Sequence, residues 1–156
     1  MSSSELSESD AGARGRSVAI VAARFNDLIV SSLLKGARAT WLERGGASEE
    51  LFVVRVPGAF ELPVVARQLA VSGRYDAVVA LGCVIRGDTP HFDYVAGECA
   101  RGLQRVSLET GVPVIFGVLT VETLDQALER AATAAGNKGG ESMECALEMA
   151  AVMERL

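Results

Sequence analysis

Four short apolar runs, each followed by a stretch with helical spacing, constrain this chain more than any other feature. They are SVAIVAA (17–23), LFVVRV (51–56), YDAVVALGC (75–83) and VPVIFGVL (112–119). The first is β-branched and unbroken by polar residues, as a strand covered on both faces should be. After it, DLIVSSLLKGARATWLER sets Leu28, Leu33, Leu34, Ala37 and Trp41 near one helical face, and Gly45 and Gly46 close it. Pro57 and Gly58 turn the chain after the second run, and Phe60 to Ala70 reads as a second helix. A third spans roughly Pro90 to Thr110. Thr123 and Gln126 have capping-box spacing for a fourth, running to about Ala135. The last begins after Gly139 and Gly140, with Met143, Leu147 and Ala150 facing one way and Glu144 and Glu148 the other.

Such alternation predicts an α/β fold, a four-stranded parallel sheet with helices on both faces. Ligands bind such sheets at the carboxyl ends of the strands. The loops of interest are then ARFND, VPGAFE, GCVIRGDTPHFDY and the segment around FGVLTVET.

Composition narrows the function. At 156 residues, with 49% hydrophobic and 22% charged residues, the chain has enough to bury for one folded domain. A net charge of −5 without a Lys/Arg-rich stripe argues against a nucleic-acid surface. No apolar run is long enough to cross a bilayer, and no basic-then-apolar signal opens the chain, so no membrane partner is expected. Cys83, Cys99 and Cys145 are odd in number and the chain has a single histidine, so no metal site is expected. Reduced thiols in a cytoplasmic protein are the simplest reading. Residues 1–16, Ser-rich and acidic, are expected to form a flexible tail, leaving 17–156 as the domain.

The third loop holds the only histidine, His91. GCVIRGDT has the spacing of a P-loop, Gly82 to Gly87, but Asp88 occupies the lysine slot, which argues against nucleotide hydrolysis. The turn can still bind one phosphate through backbone N–H groups at a helix start, or Gly87 can simply make the turn. With Thr89 as N-cap and Pro90 at N1, His91 falls at N2, where the helix dipole disfavours the protonated ring and leaves a base able to accept and return a proton. An ordinary surface histidine remains the alternative. Phe25 is either a stacking surface for a planar ligand or a core plug. Glu61 is either an acceptor for hydroxyl groups or a solvated carboxylate. Arg130 and Lys138, taken singly, read as solvated charges. Cys83 reads as a small buried hydrophobe rather than a reactive thiol.

Five segments in order, ARFND, VPGAFELP, ALGCVIRGDTPHFDYV, GVPVIFGVLT and LERAATAAGNKG, resemble the 6,7-dimethyl-8-ribityllumazine synthase family, from about Ser17 to the C-terminus. The resemblance implies a flavodoxin-like three-layer α/β/α fold, with an N-terminal edge strand as a candidate addition. It implies a transferase of riboflavin biosynthesis that condenses 5-amino-6-(D-ribitylamino)uracil with 3,4-dihydroxy-2-butanone 4-phosphate, releasing phosphate and water. Every stage of that condensation moves protons, and none needs a metal or organic cofactor.

On the matching positions, the resemblance implies that Phe25 stacks on the pyrimidine, while the backbone of Ala59, Phe60 and Glu61 and the Glu61 carboxylate hold the ribityl chain. Cys83, Val84 and Ile85 would bond the pyrimidine edge through their main chain. Asp88 and Thr89 would receive the phosphate, and His91 would transfer protons. Phe116, Arg130 and Lys138 would come from the adjacent chain, Arg130 pairing with the phosphate. The family forms pentamers, and the uninterrupted AAGNKGG turn resembles members that close into a sixty-subunit icosahedral shell. Riboflavin synthase is a further candidate partner. Two rival readings remain: a related Schiff-base enzyme on the same scaffold, and a shell or carrier protein that binds lumazines or flavins without turnover.

Overall fold

The first apolar run forms β1 (Val18–Ala23), and all six of its side chains are buried. It lies inside the sheet and is covered on both faces. In the computed structural model, which describes residues 10–132 and 136–156, β1 pairs in parallel with β2 (Phe52–Val56) and β3 (Ala77–Ile85). β4 (Val114–Val121) pairs with β3, giving the order β2-β1-β3-β4. From β1 the chain moves one way to β2 and thereafter the other way. Right-handed crossovers therefore place the first connecting helix on one face and the next two on the opposite face.

The two cores follow from that reversal. Val18, Ile20 and Ala22 point to the layer formed by α1 (Asp27–Glu43), α4 (Leu124–Ala131) and α5 (Lys138–Glu154), where they meet Ile29, Val30, Leu33, Trp41, Met143 and Leu147. Ala19, Val21 and Ala23 point to α2 (Leu62–Val71) and α3 (His91–Thr110), where they meet Leu62, Ala66, Leu69, Cys99, Leu103 and Val106. The expected three-layer α/β/α arrangement is thus the observed one. Among the described residues no strand precedes β1, so none adds to the β2 edge.

Several boundaries shift for local reasons. β3 and β4 each start two residues later than the apolar runs. The Asp76 carboxylate and N–H are taken by Ser17, at 2.8 and 2.7 Å. Pro113, in turn, has no N–H to give to a ladder. The second helix begins as a 3-10 turn, Ala59–Glu61, before α2 starts with Pro63 in its first turn. Leu28 stands 77% exposed, because the buried face of α1 is set by Ile29, Val30, Leu33 and Ala37 and Leu28 lies on the other side of the helix. α4 ends at Ala131, and the expected continuation through residues 133–135 lies outside the described residues.

Of the expected tail, residues 1–9 also lie outside the described residues. From there on Ala11 and Ala13 are buried, the Ala13 N–H donates to the Arg44 carbonyl at 2.9 Å, and Arg16 pairs with Glu154 at 2.9 Å. Small side chains and ion pairs, Asp10 with Arg155 at 3.4 Å besides Arg16 with Glu154, fasten this stretch to α1 and the end of α5. No helix among the described residues is long and apolar enough to cross a membrane.

α5 starts at Lys138, before the glycine pair expected to precede it. Gly139 and Gly140 are instead buried in its first turn, against α1. A Cβ on Gly139 would overlap the Leu33 carbonyl, and one on Gly36 would overlap the Asn137 amide. Asn137 caps α5 by accepting from the Gly140 N–H at 3.1 Å. Its own NH2 donates to Ser32 and Ala131 carbonyls at 3.1 and 2.9 Å. Backbone here packs on backbone, and the low helix propensity of glycine is the cost of that approach. Gly139→Ala should lower the melting temperature by several degrees, since overpacking costs about 1–3 kcal/mol and each shifts a chain of this size by about 2–4 °C. An unchanged calorimetric transition would show that α5 can move away freely.

Candidate functional site

The β1–β3 ladder ends at the Ala22–Leu81 pair, whereas β3 stays paired with β4 as far as Ile85 and Val121. Past Leu81, therefore, the β1-facing edge of β3 has no strand beside it. Alternate residues of a parallel strand turn both main-chain groups to the same side. The Arg86 N–H bonds the Val121 carbonyl on the β4 side, while the Cys83 carbonyl accepts from Asn26 Nδ2 at 2.8 Å on the other. Cys83 and Ile85 thus present their backbone to the gap where the strand order reverses, the usual ligand position in such sheets.

The loop after β1 forms one wall. Its pairing with β2 runs on: Arg24 N–H donates to Val56 at 2.7 Å and Phe25 N–H to Pro57 at 3.0 Å. Asn26 then turns the chain into α1 with φ 61° and ψ 47°, the one non-glycine positive φ among the described residues. Asparagine tolerates this left-handed geometry better than most residues. Arg55 closes the base of the turn. It donates to the Ala22 and Ala23 carbonyls and to the Asp27 carboxylate at 2.7 Å, which holds that carboxyl below its ordinary range. The result leaves the Phe25 ring 72% exposed over the gap. It is no core plug.

The second wall is the turn after β2. Ala59 is buried, Phe60 is 58% exposed, and Glu61 is half-buried, its N–H bonded to the Gly58 carbonyl at 3.2 Å. The third wall runs from Cys83 to Val95. Burial pushes the Cys83 thiol up to about 11, so it stays protonated near neutrality and is no nucleophile. His91 is the first residue of α3 rather than the second, because Pro90, with ψ 3°, sits at the cap position. The Thr89 hydroxyl consequently reaches the His91 N–H, at 3.4 Å, from one residue outside the cap.

The walls enclose a cleft of about 710 Å³, large enough for two small substrates. Phe25, Ala59, Phe60, Glu61, Cys83, Val84, Ile85, Thr89 and His91, all singled out in the sequence, line it. Asp88 is exposed and does not. Nor do Phe116 on β4, Arg130 on α4, or Lys138 at the start of α5. Arg130 Nη1 donates to its own helix at the Gln126 carbonyl, 3.1 Å away.

Pro57, Gly58, Gly87, Phe92 and Tyr94, which fall in the loops the sequence pointed to but were not among its substrate-binding residues, also line the cleft, as does Val95 just beyond them. Tyr94 and Val95 were findable, since they follow His91 at i+3 and i+4 on one helical face. Among the described residues no cluster of three His, Cys, Asp or Glu side chains could hold a metal ion.

Comparison with known proteins points to one family. The family model for 6,7-dimethyl-8-ribityllumazine synthase matches residues 15–154. A relative from Nitratidesulfovibrio vulgaris (strain DSM 19637 / Miyazaki F), named 6,7-dimethyl-8-ribityllumazine synthase, is 54% identical over 144 residues, covering 92% of each chain. Every segment that builds the three walls falls inside both matches, and the chain belongs to the 6,7-dimethyl-8-ribityllumazine synthase family.

Proposed function

We propose that the protein condenses 5-amino-6-(D-ribitylamino)uracil with 3,4-dihydroxy-2-butanone 4-phosphate to 6,7-dimethyl-8-ribityllumazine, as a transferase of riboflavin biosynthesis in the cytoplasm. The observation that carries this reading is the convergence of an exposed ring, a carboxylate, free strand backbone and the single histidine on one cleft. Phe25 stacks on the pyrimidine, and the Ile85 and Cys83 main chain bonds its edge. The Cys83 carbonyl is shared with Asn26, so the N–H groups on this edge are the freer partners. Glu61 and the turn around Ala59 and Phe60 take the ribityl hydroxyls. Gly87 and Thr89 place the phosphate near the start of α3, where backbone N–H groups and the helix dipole favour an anion.

The chemistry follows from those positions. The substrate amine attacks the ketone, and water leaves as the Schiff base forms. Phosphate is then eliminated, and ring closure expels a second water. Each stage moves a proton, on nitrogen or oxygen in the condensations and from the carbon beside the imine in the elimination, and His91, beside the phosphate position, serves as the shared donor and acceptor. Holding both substrates in one cleft supplies much of the remaining acceleration.

Phe116, Arg130 and Lys138 lie outside the cleft of their own chain, which supports their delivery to the cleft of an adjacent one, in a pentamer that closes into a sixty-subunit shell. Exposed Leu124 and Leu128, on the helix that carries Arg130, are apolar surface suited to such a contact. Arg130 would then give the leaving phosphate a bidentate cation. Riboflavin synthase, which would take the lumazine, is the natural partner of such an assembly.

Purified protein mixed with both substrates should produce the lumazine chromophore, and His91→Ala should slow its appearance by at least about tenfold. Equal rates would leave His91 a bystander, and no rate above the uncatalysed reaction would remove the enzymatic reading. Asp88→Ala should leave the KM for the phosphate substrate unchanged or lower, because the exposed carboxylate stands outside the cleft. A large rise would put that side chain on the phosphate. Light scattering should report the closed shell, and a discrete five-chain particle would overturn that assembly.

A further inference from the structure

The first two turns of α3 carry His91 with no fully buried side chain, and their one core contact is Val95, which is only partly buried. From His91 to Glu98 every side chain is exposed or only partly covered, and Cys99 is the first one buried. That anchor lies about 12 Å along the helix axis from His91, at 1.5 Å per residue. On the other side, the five residues from Arg86 to Pro90 connect to β3. Gly87 has open space around the position of its missing Cβ, and, Arg86 apart, the side-chain bond from this connection to α3 is that of Thr89 to the His91 N–H. Neither neighbour fixes where the helix start sits above the cleft.

Arg86 spans that gap. Its backbone N–H is fastened to the Val121 carbonyl at 2.9 Å, at the shared end of β3 and β4. Its Nε meets the Glu122 carboxylate at 2.8 Å, and its Nη1 meets Asp93 at 3.3 Å. The guanidinium carbon lies 4.4 Å from the centre of the Phe92 ring, a side chain that also lines the cleft. Glu122 is itself held, since its N–H donates to the Gln126 side chain within the capping box of α4. One planar cation thus ties the end of the sheet to the two residues that follow His91.

We propose that Arg86 is a positioning residue for His91, an inference that rests on His91 being the proton-transfer residue. The fork geometry matters here. A planar guanidinium meets two carboxylates and an aromatic face in one fixed arrangement, which a flexible point-charge ammonium holds less firmly. The pairs are solvent-exposed, so their contribution to global stability is small, and their effect lies in fixing a first turn that is otherwise held only by the Thr89 bond and by Val95, partly buried one turn on.

The test is a double-mutant cycle on the full-length protein, read by lumazine formation and thermal melting. Arg86→Met should lower kcat between about tenfold and hundredfold, the scale of a misplaced catalytic group, with the KM for the pyrimidine substrate and the melting temperature nearly kept. In a His91→Ala background the same change should have little further effect, because a residue acting through His91 has nothing left to position. Arg86→Lys should fall between parent and Arg86→Met, and Glu122→Gln should show a smaller loss of the same kind. An undiminished kcat in Arg86→Met would overturn the proposal, as would an equal loss in both backgrounds. A His91→Ala rate equal to the parent's would overturn the proton-transfer assignment and the positioning role together, and the single mutant alone reveals that case. Should Arg86→Met melt early, Arg86→Lys and Glu122→Gln in the two backgrounds decide by the same criterion.

Discussion

The ladder between β1 and β3 stops at Ala22 and Leu81, while the one between β3 and β4 continues to Ile85 and Val121, and the rest of the site depends on that mismatch. A strand edge without a neighbour must find other partners for its backbone or face water. Here the gap is filled from one side by Asn26, whose left-handed backbone and amide bond to Cys83 lock the turn that exposes Phe25. What is left of the edge is open to a ligand. The cleft is thus a consequence of where hydrogen bonding ends.

A second constraint operates on the opposite face, where α5 packs on α1 with backbone against backbone. Gly36, Gly139 and Gly140 permit the approach, and Asn137 ties α1, α4 and α5 through three hydrogen bonds. This node sets where Arg130 and Lys138 stand, far along the chain from His91. Stability and function are linked there without any shared contact with a ligand: the same close packing that stabilises the α1–α5 layer orients the cations proposed for the neighbouring cleft.

Charge is used sparingly in the cleft. The thiol of Cys83 is pushed up to about 11 by burial and remains neutral, which leaves nucleophilic chemistry to the substrates themselves. Arginine does the fastening around the rim. Arg55 holds the β1 turn through two carbonyls and Asp27, and Arg86 holds the start of α3 through Glu122, Asp93 and Phe92. Both bridge a strand end to a helix start, which is where a parallel sheet needs side chains to replace the ladder.

Much of this was legible in the sequence. Periodicity gave four strands and their helices, and loop position gave the cleft residues from Phe25 to His91, because both depend on contacts between residues near in sequence or on a topology that allows few alternatives. The family segments added Phe116, Arg130 and Lys138, and the described chain leaves these outside its own cleft. Long-range geometry was not legible. Nothing in the sequence said that Gly139 would meet the Leu33 carbonyl and so lie inside a helix, that Ala13 would be buried with its N–H on the Arg44 carbonyl, or that Arg86 would reach Glu122 and Phe92 together. The sequence by itself determined the alternation of elements and the residue types at the sheet's carboxyl edge. Tertiary structure alone decided which of them face the same space, since that depends on where one ladder ends and how closely two backbones can pack.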